Sequence, residues 1–136
     1  MTQDIGFEIN LDVPYEQAVE KVIEALKEEG FGVLTRIDVK ATLKSKIDVD
    51  FRPYVILGAC NPPLAHRALS ADTVVGLMLP CNITVEENPD GGATARLANP
   101  ELMMTIGGLQ NNQTLVEVAK EARLRIERVA TGLLGS

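Results

Sequence analysis

The chain has 136 residues, 46% of them hydrophobic, and its 13 basic and 19 acidic side chains give a formal net charge of -6. This length predicts a single domain over residues 1–136, and the apolar fraction excludes a disordered chain. The acidic balance argues against a nucleic-acid partner, because phosphate binding depends mainly on Lys and Arg. Tryptophan is absent and aromatic residues make up only 4%, which argues against stacking on single strands as well.

Targeting and membrane segments are not evident in the sequence. The first seven residues have no basic stretch and no long apolar run. No internal segment approaches the roughly 20 apolar residues of a membrane helix. The two cysteines, 21 positions apart, do not form a disulfide framework in a chain of this length. We therefore expect a reduced, cytoplasmic protein that does not associate with membranes.

The first third of the chain predicts two strands on either side of an amphipathic helix. Residues 5–10 are partly alternating and predict a strand. Pro14 suits the first turn of a helix over residues 14–29, and Gly30 suits the position just past its end. The residues of its apolar stripe are Ala18, Val19, Val22, Ile23 and Leu26. Residues 31–39 predict a strand with Val33, Thr35, Ile37 and Val39 on one face.

A row of glutamates lies on the other face of the first predicted helix, at Glu16, Glu20, Glu24 and Glu28. Like charges four residues apart are mildly destabilising, so packing of the apolar stripe has to stabilise this helix. We interpret the row as a solvated face, because carboxylates about 6 Å apart are too open for a calcium cage. A docking face for a basic partner is the alternative.

The middle of the chain predicts a short helix over 41–48, followed by an apolar strand over 54–60. This strand does not alternate, which indicates burial on both faces or at a subunit contact. A helix then begins at Pro62 or Pro63 and continues through Leu69. Residues 74–85, interrupted by Pro80, are interpreted as a second central strand, since they carry no charge.

The last third predicts a hairpin, an irregular segment and a long helix. Residues 81–87 and 93–98 pair around the turn signal at 88–92, and residues 99–112 are irregular. Thr114 and Glu117 form a capping-box pattern at the start of the last helix, which Gly132 can end. The order of elements predicts an α+β fold, with an antiparallel or mixed sheet and helices packed on one face.

Two short motifs at predicted strand ends are the main candidate site: Cys60-Asn61-Pro62 and Pro80-Cys81-Asn82. If their strands are neighbours, the thiols of Cys60 and Cys81 converge at one edge of the sheet. They could then form a redox pair or bind a soft metal, with His66 as a weak third ligand. The alternative is structural: cysteine as a small buried residue, with Asn and Pro shaping the chain at strand ends.

Outside these motifs the sequence offers interface features rather than a catalytic constellation. His66 has no nucleophile or orienting carboxylate near it in the sequence, and no nucleophile elbow or phosphate loop is present. Met103 and Met104 lie in the irregular segment, where they either cover the core or mark an interface or ligand patch. Leu124 lies opposite the apolar stripe of the last helix and is a possible subunit contact.

Three stretches resemble the domain-of-unknown-function 302 family of small prokaryotic proteins: residues 28–34, 56–62 and 76–83. The resemblance extends from about Ile9 to Ala130, and the two Cys-containing motifs carry most of it. It implies a TATA-binding-protein-like α+β fold with a curved antiparallel sheet, and a homodimer. It implies no reaction, and it gives Cys60 and Cys81 no catalytic role.

We therefore expect an uncharacterised conserved protein that acts as a non-enzymatic, dimeric ligand-binding or interaction domain. Its expected partner is a second copy, and a small-molecule ligand is possible. A thiol- or metal-dependent enzyme or redox protein that uses Cys60 and Cys81 is the alternative. The sequence identifies no cofactor and no ligand.

Overall fold

The computed structural model describes residues 5–135. Its strands are β1 (Gly6–Leu11), β2 (Gly32–Asp38), β3 (Tyr54–Cys60), β4 (Cys81–Glu87) and β5 (Ala93–Ala98). Its α-helices are α1 (Tyr15–Glu28), α2 (Val39–Ile47), α3 (Pro62–Ala71), α4 (Pro100–Met103) and α5 (Gln113–Leu134). Two 3-10 helices cover Thr73–Met78 and Ile106–Asn111. Among the residues described, no helix combines the length and the apolar character needed to cross a membrane.

The five strands form one sheet in the order β1-β5-β4-β3-β2, and each neighbouring pair is antiparallel. The predicted α+β class is confirmed, and of the two sheet types it is the antiparallel one. The predicted hairpin is also present, because β4 and β5 pair on either side of the turn at 88–92. The hairpin lies between β1 and β3, so β3 and β4 are neighbours in the sheet.

One face of the sheet packs against α1 and α5 to form the larger of two cores. In α1 the predicted stripe is buried at Ala18, Val19, Val22 and Leu26, whereas Ile23 is only partly buried. The residues that the sheet contributes are Phe7, Ile9, Leu11, Val55, Leu57, Ala59, Ile83, Val85, Ala93, Ala95 and Leu97. Their burial excludes water from about half of each strand, which is the main source of stability.

The other face of the sheet is largely polar where β1, β5 and β4 meet. Arg96 Nε donates to Glu8 Oε1 at 2.8 Å, and the same guanidinium bonds to Glu86. Arg52 NH1 also reaches Glu86, at 3.3 Å from Oε2. The buried and polar faces therefore alternate along these strands, as expected for an antiparallel sheet with helices on one side.

A second, smaller core lies where α3, α4 and α5 meet the 3-10 helix at Thr73–Met78. Its buried residues are Leu64, Ala68, Val75, Met104, Leu115, Val118, Ala119 and Ala122. This core stands next to the ends of β3 and β4 that carry the two cysteines. It therefore forms one wall of the candidate site.

Strand β2 contains a β-bulge, and the prediction that Val33, Thr35, Ile37 and Val39 share one face is wrong. Val33 pairs with Ala59, but Thr35 pairs with Gly58, so the bulge at Leu34 reverses the side-chain alternation. Val33 therefore faces the core, whereas Thr35 and Ile37 point to the other side of the sheet. Val39 is not in the strand at all, since it begins α2.

The predicted strand over 74–85 begins later than expected, because residues Thr73–Met78 form a 3-10 helix. Asp72 Oδ1 accepts a hydrogen bond from Val74 N at 3.0 Å and caps this helix. The turn buries Val75 in the second core. Uncharged apolar runs occur both in buried strands and in buried turns. The sequence pattern alone therefore does not distinguish this 3-10 helix from a strand.

Both ends of the last helix differ from the prediction. Asn112 is its N-cap, with Oδ1 accepting from Leu115 N at 3.2 Å, so Thr114 lies within the first turn and no capping box forms. The helix continues past Gly132 to Leu134. Leu133 is buried in the larger core, and its packing outweighs the low helix propensity of one glycine.

Candidate functional site

Both cysteine motifs lie at one end of the sheet and line the same small cavity. Ala59 and Cys81 are register partners across β3 and β4, and Cys60 is the last residue of β3. The cavity has a volume of about 50 Å³ and is called the inner cavity below. The side chains that close it come from α3, α4, α5 and the chain before β4, and they include Leu64, Ala68, Leu79, Pro100, Met104, Val118, Ala119 and Ala122. The two thiols, both free, therefore share one site.

A wider, open groove adjoins the inner cavity, and we call it the outer groove. It encloses about 390 Å³, and Leu79, Pro80, Cys81, Pro100 and Met104 line both spaces. The remaining residues of its lining are Ile5, Leu77, Met78, Asn82, Ala98 and Met103. None of the described residues lining the two spaces carries a charged side chain.

Asn61, the middle residue of the first motif, has a structural role. Its Oδ1 accepts from Leu64 N at 3.2 Å and caps α3, and its Nδ2 lies 3.4 Å from the carbonyl oxygen of Glu29, to which it donates. Arg125 NH1 donates to the same carbonyl at 3.1 Å. Gly30 has a φ of +84°, and a Cβ there would lie 2.9 Å from Asn61 Nδ2. Asn61 thus ties the end of α1 to the start of α3.

The other residues of the motifs divide between structure and site. Pro62 is exposed in the first turn of α3, where it needs no hydrogen-bond partner for its nitrogen, and it does not line the cavity. Pro80 lines both spaces and packs on β3 beside Gly58. Asn82 is exposed at the outer groove. The site thus contains Cys60, Asn61, Pro80, Cys81 and Asn82, and the polar atoms of the Asn61 side chain are engaged in holding α3 and the end of α1.

The Cys81 thiol is held in its neutral form. Burial, which disfavours the thiolate, and the electrostatic effect of the nearby Cys60 together raise the pKa of Cys81 to about 11. The thiolate is the nucleophile in disulfide exchange and thiol catalysis, so Cys81 is a poor nucleophile near pH 7. This environment is that of a packed or ligand-lining cysteine rather than an activated one.

His66 does not join the two cysteines. It is exposed on α3 and borders a separate shallow depression with Arg67, Ser70 and Thr114. Across residues 5–135, no group of three or more His, Cys, Asp or Glu side chains could hold a metal ion. The three weak metal candidates of the sequence are therefore not brought together.

The glutamate row on α1 borders a polar groove of about 400 Å³ between α1 and α5. Glu20, Glu24 and Glu28 line it, together with Lys21 and Arg128. The glutamate contacts here are exposed: Glu24 lies 3.9 Å from Lys27, and Glu20 lies 4.0 Å from Arg36. This geometry is that of a solvated helix face, as the sequence indicates.

The segment 99–112, predicted to be irregular, contains α4 and a 3-10 helix, and its apolar residues separate into core and surface. Met104 is buried in the second core, Met103 is half-buried at the outer groove, and Leu102 and Ile106 are exposed. Leu124 is exposed on α5. Sequence reasoning did not identify Leu77, Met78 or Leu79 as site residues. The available signal was their position directly before the second motif, because residues next to Cys81 in the chain must also lie close to the site.

Comparison with known proteins supports a family assignment. The family model described as "Domain of unknown function DUF302" matches residues 7–133. Among solved structures, the chain is similar to the crystal structure of an uncharacterized conserved protein DUF302 from Bacillus stearothermophilus. The two share 30% sequence identity with a TM-score of 0.81, over 93% of this chain and 96% of that one.

No curated protein sequence matches the chain. The family model nevertheless covers nearly all of it, including both cysteine motifs and all five strands. The similar crystal structure agrees with that assignment over almost its whole length. The resemblance seen in the sequence is confirmed, and the chain belongs to the DUF302 family.

Proposed function

We propose that this chain is a non-enzymatic binding domain that takes a small, uncharged, largely apolar molecule into the outer groove, which adjoins the inner cavity. The single observation behind the proposal is that residues of both cysteine motifs line two adjoining spaces, and no described residue in either lining carries a charged side chain. The outer groove, about 390 Å³, lies in the usual size range of small-molecule sites. An ionic ligand would lose its hydration there and find no counter-charge.

The surface around the outer groove also favours binding. Leu77 is 84% exposed and Ile5 is 65% exposed at its edge, although both are large apolar residues. Such residues at the mouth of a concave apolar space are typical of ligand or interaction sites. Three methionines add adaptable side chains that adjust to ligands of different shape.

The proposal is tested with the neutral probe N-phenyl-1-naphthylamine, whose fluorescence rises in apolar sites. We expect saturable binding to the wild-type protein and about five-fold weaker binding to Leu77→Gln, since the change removes about 1 kcal/mol of apolar contact. Leu134→Gln is the matched control, because Leu134 is 57% exposed on α5, away from the groove. Equal affinities of the two variants, or no saturable binding, would refute the proposal.

We also propose that the protein is a homodimer that associates through β2, α2 and the chain up to Arg52. β2 is an edge strand of the sheet, and no residue of the segment 32–52 is buried. The large apolar side chains that it exposes are Leu34, Ile37, Ile47, Val49 and Phe51. An open edge strand with exposed apolar residues is a surface that proteins usually cover.

The segment carries side chains of both signs. It has five basic and three acidic residues, a net charge of +2, whereas the whole chain carries -6. Two copies that meet through it can pair opposite charges and avoid placing the glutamate rows of α1 against each other.

Sedimentation analysis at micromolar concentration tests the dimer. We expect twice the 14.7 kDa chain mass for the wild type and for Leu134→Asp, and a monomer for Ile37→Asp. A wild-type monomer, or a dimer that Ile37→Asp leaves intact, would rule out this interface.

The two free cysteines support a reducing, cytoplasmic location for the dimer.

The alternative of a thiol-dependent enzyme or redox protein has less support. Its central requirement is a reactive thiolate, and the raised pKa of Cys81 opposes one. Thiol titration of the native protein separates the two proposals. Slow reaction of Cys60 and Cys81 at pH 7.5 supports binding, whereas rapid reaction of both would favour thiol chemistry.

A further inference from the structure

The sulfur-containing residues of the described range, 5–135, all lie at one site. The sequence has two cysteines and four methionines, and all of those within residues 5–135 line the inner cavity or the outer groove. They are Cys60, Met78, Cys81, Met103 and Met104. The chain brings them together from the end of β3, from both sides of Pro80, and from the region of α4. The site is therefore rich in sulfur as well as apolar.

The donor atoms of the site are soft. Thiol and thioether sulfur select soft ions such as Cu(I), whereas Mg²⁺ and Ca²⁺ require oxygen ligands. The only other polar side chains lining the two spaces are those of Asn61 and Asn82, and Asn61 is engaged by Leu64 and Glu29. A hard ion therefore finds no set of ligands here.

We propose that the inner cavity binds a soft monovalent metal ion, of which Cu(I) is the representative, through Cys60, Cys81 and Met104. These three residues carry the sulfur atoms that line the inner cavity. Met78 and Met103 line the outer groove, where their thioethers receive the ion on its way in. Cys81 and Met104 line both spaces and connect the two stages. This inference goes beyond the proposed apolar ligand and does not depend on it.

Charge balance determines which ions fit. Binding of Cu(I) to one of the two cysteine Sγ atoms forms one copper–sulfur bond and releases that thiol's proton to water. The resulting Cu(I)–thiolate pair is neutral, which suits a cavity without charged side chains. The other cysteine thiol and the Met104 thioether complete the coordination without adding charge. A divalent ion would leave an uncompensated charge unless both thiols lost their protons.

The test is a titration of the reduced, untagged full chain with Cu(I) in the absence of oxygen, in competition with the chromophoric chelator bicinchoninate. We expect one ion per chain. Cys81→Ser should weaken binding by more than about 100-fold, because loss of a ligand exceeds the typical 10–100-fold effect of outer-shell changes. Met104→Leu keeps the apolar volume and should weaken binding about ten-fold. His66→Ala, outside the site, should have no effect.

Proton release provides a second readout. Binding of one Cu(I) ion should release about one proton, which a pH-indicator dye detects in weakly buffered solution. Thermal melting of each variant checks its fold, and Cys60→Ser replaces Cys81→Ser if the latter does not fold. Binding of the apolar ligand is tested separately from binding of Cu(I). Leu77→Gln should weaken binding of the naphthylamine probe but leave the affinity for Cu(I) unchanged. Absence of Cu(I) binding, or equal affinities of the wild type and the Cys→Ser variant, would overturn the inference.

Discussion

Gly58 of β3 and Thr35 of β2 are register partners that approach so closely that a Cβ atom at position 58 would stand 2.2 Å from Thr35 Oγ1. The same Cβ would lie 2.7 Å from Cγ of Pro80. The absence of a side chain at Gly58 therefore lets the chain before β4 cross the end of β3. This approach fixes where Pro80 lies, and with it the start of β4 at Cys81.

Substitution Gly58→Ala should lower the free energy of unfolding by about 1–3 kcal/mol, the usual cost of overpacking. Urea denaturation followed by circular dichroism measures the change. Gly132→Ala is the matched control, because a Cβ there meets no atom within 4 Å. In the interior of α5 it should stabilise the protein by about 0.5–1 kcal/mol. Equal stability of the Gly58→Ala and wild-type proteins would contradict this account of the glycine.

Replacement of Asn61 by Ala should destabilise the protein by about 1–2 kcal/mol, because the cap of α3 and the bond to Glu29 are lost together. The carbonyl of Glu29 keeps its bond from Arg125, which limits the loss. Asn112→Ala is the control, since its side chain caps α5 and has no bond to another element. Thermal denaturation of both variants should show the larger loss for Asn61. The opposite order would mean that the contact with Glu29 contributes nothing.

The buried thiol of Cys81 should make stability fall at alkaline pH. Its pKa is raised from the ordinary 9.0 to about 11 in the folded protein, so the unfolded chain releases its proton first. The stabilisation is fully present below pH 9 and is lost as the pH rises from about 9 to about 11. The loss is on the order of 3 kcal/mol, since the shift is about two pKa units and one unit corresponds to about 1.4 kcal/mol.

The measurement compares the wild type with Cys81→Ser, which does not titrate in this range. The difference in their unfolding free energies should change between pH 8 and pH 11 in the direction that disfavours the wild type. Lys and Tyr ionise in both proteins, so their contributions cancel in the difference. A difference that stays constant over this range would show that Cys81 titrates normally.

The periodic parts of the sequence predicted the structure well. The stripe of α1 and the β4–β5 hairpin follow from local patterns alone, because burial on one side gives a helix or strand its period. The order of elements predicted the α+β class, and the family resemblance added that the sheet is antiparallel. The convergence of Cys60 and Cys81 depended on β3 and β4 being neighbours. No local pattern contains this information, since strand order is a property of the whole sheet.

The errors have local physical causes. The bulge at Leu34 adds one residue to β2, and an alternation rule cannot detect an inserted residue that keeps its hydrophobic character. Asn112 and Thr114 are both good capping residues, and only the direction of the preceding chain decides between them. Met78 was missed because its 3-10 turn resembles a strand in the sequence. These features are determined by tertiary packing rather than by composition.

β1 pairs with β5, a strand that is synthesised much later, and this pairing affects how the chain folds during its synthesis. Gly6 pairs with Ala98, and β5 is the only partner of β1 among the described strands. A ribosome that adds roughly 5–20 residues per second exposes the apolar residues of β1 and α1 for several seconds before β5 emerges. At that point the larger core is still incomplete, because α5 has not yet been synthesised. Nascent chains of this protein are therefore candidates for chaperone contact until α5 emerges and completes the larger core.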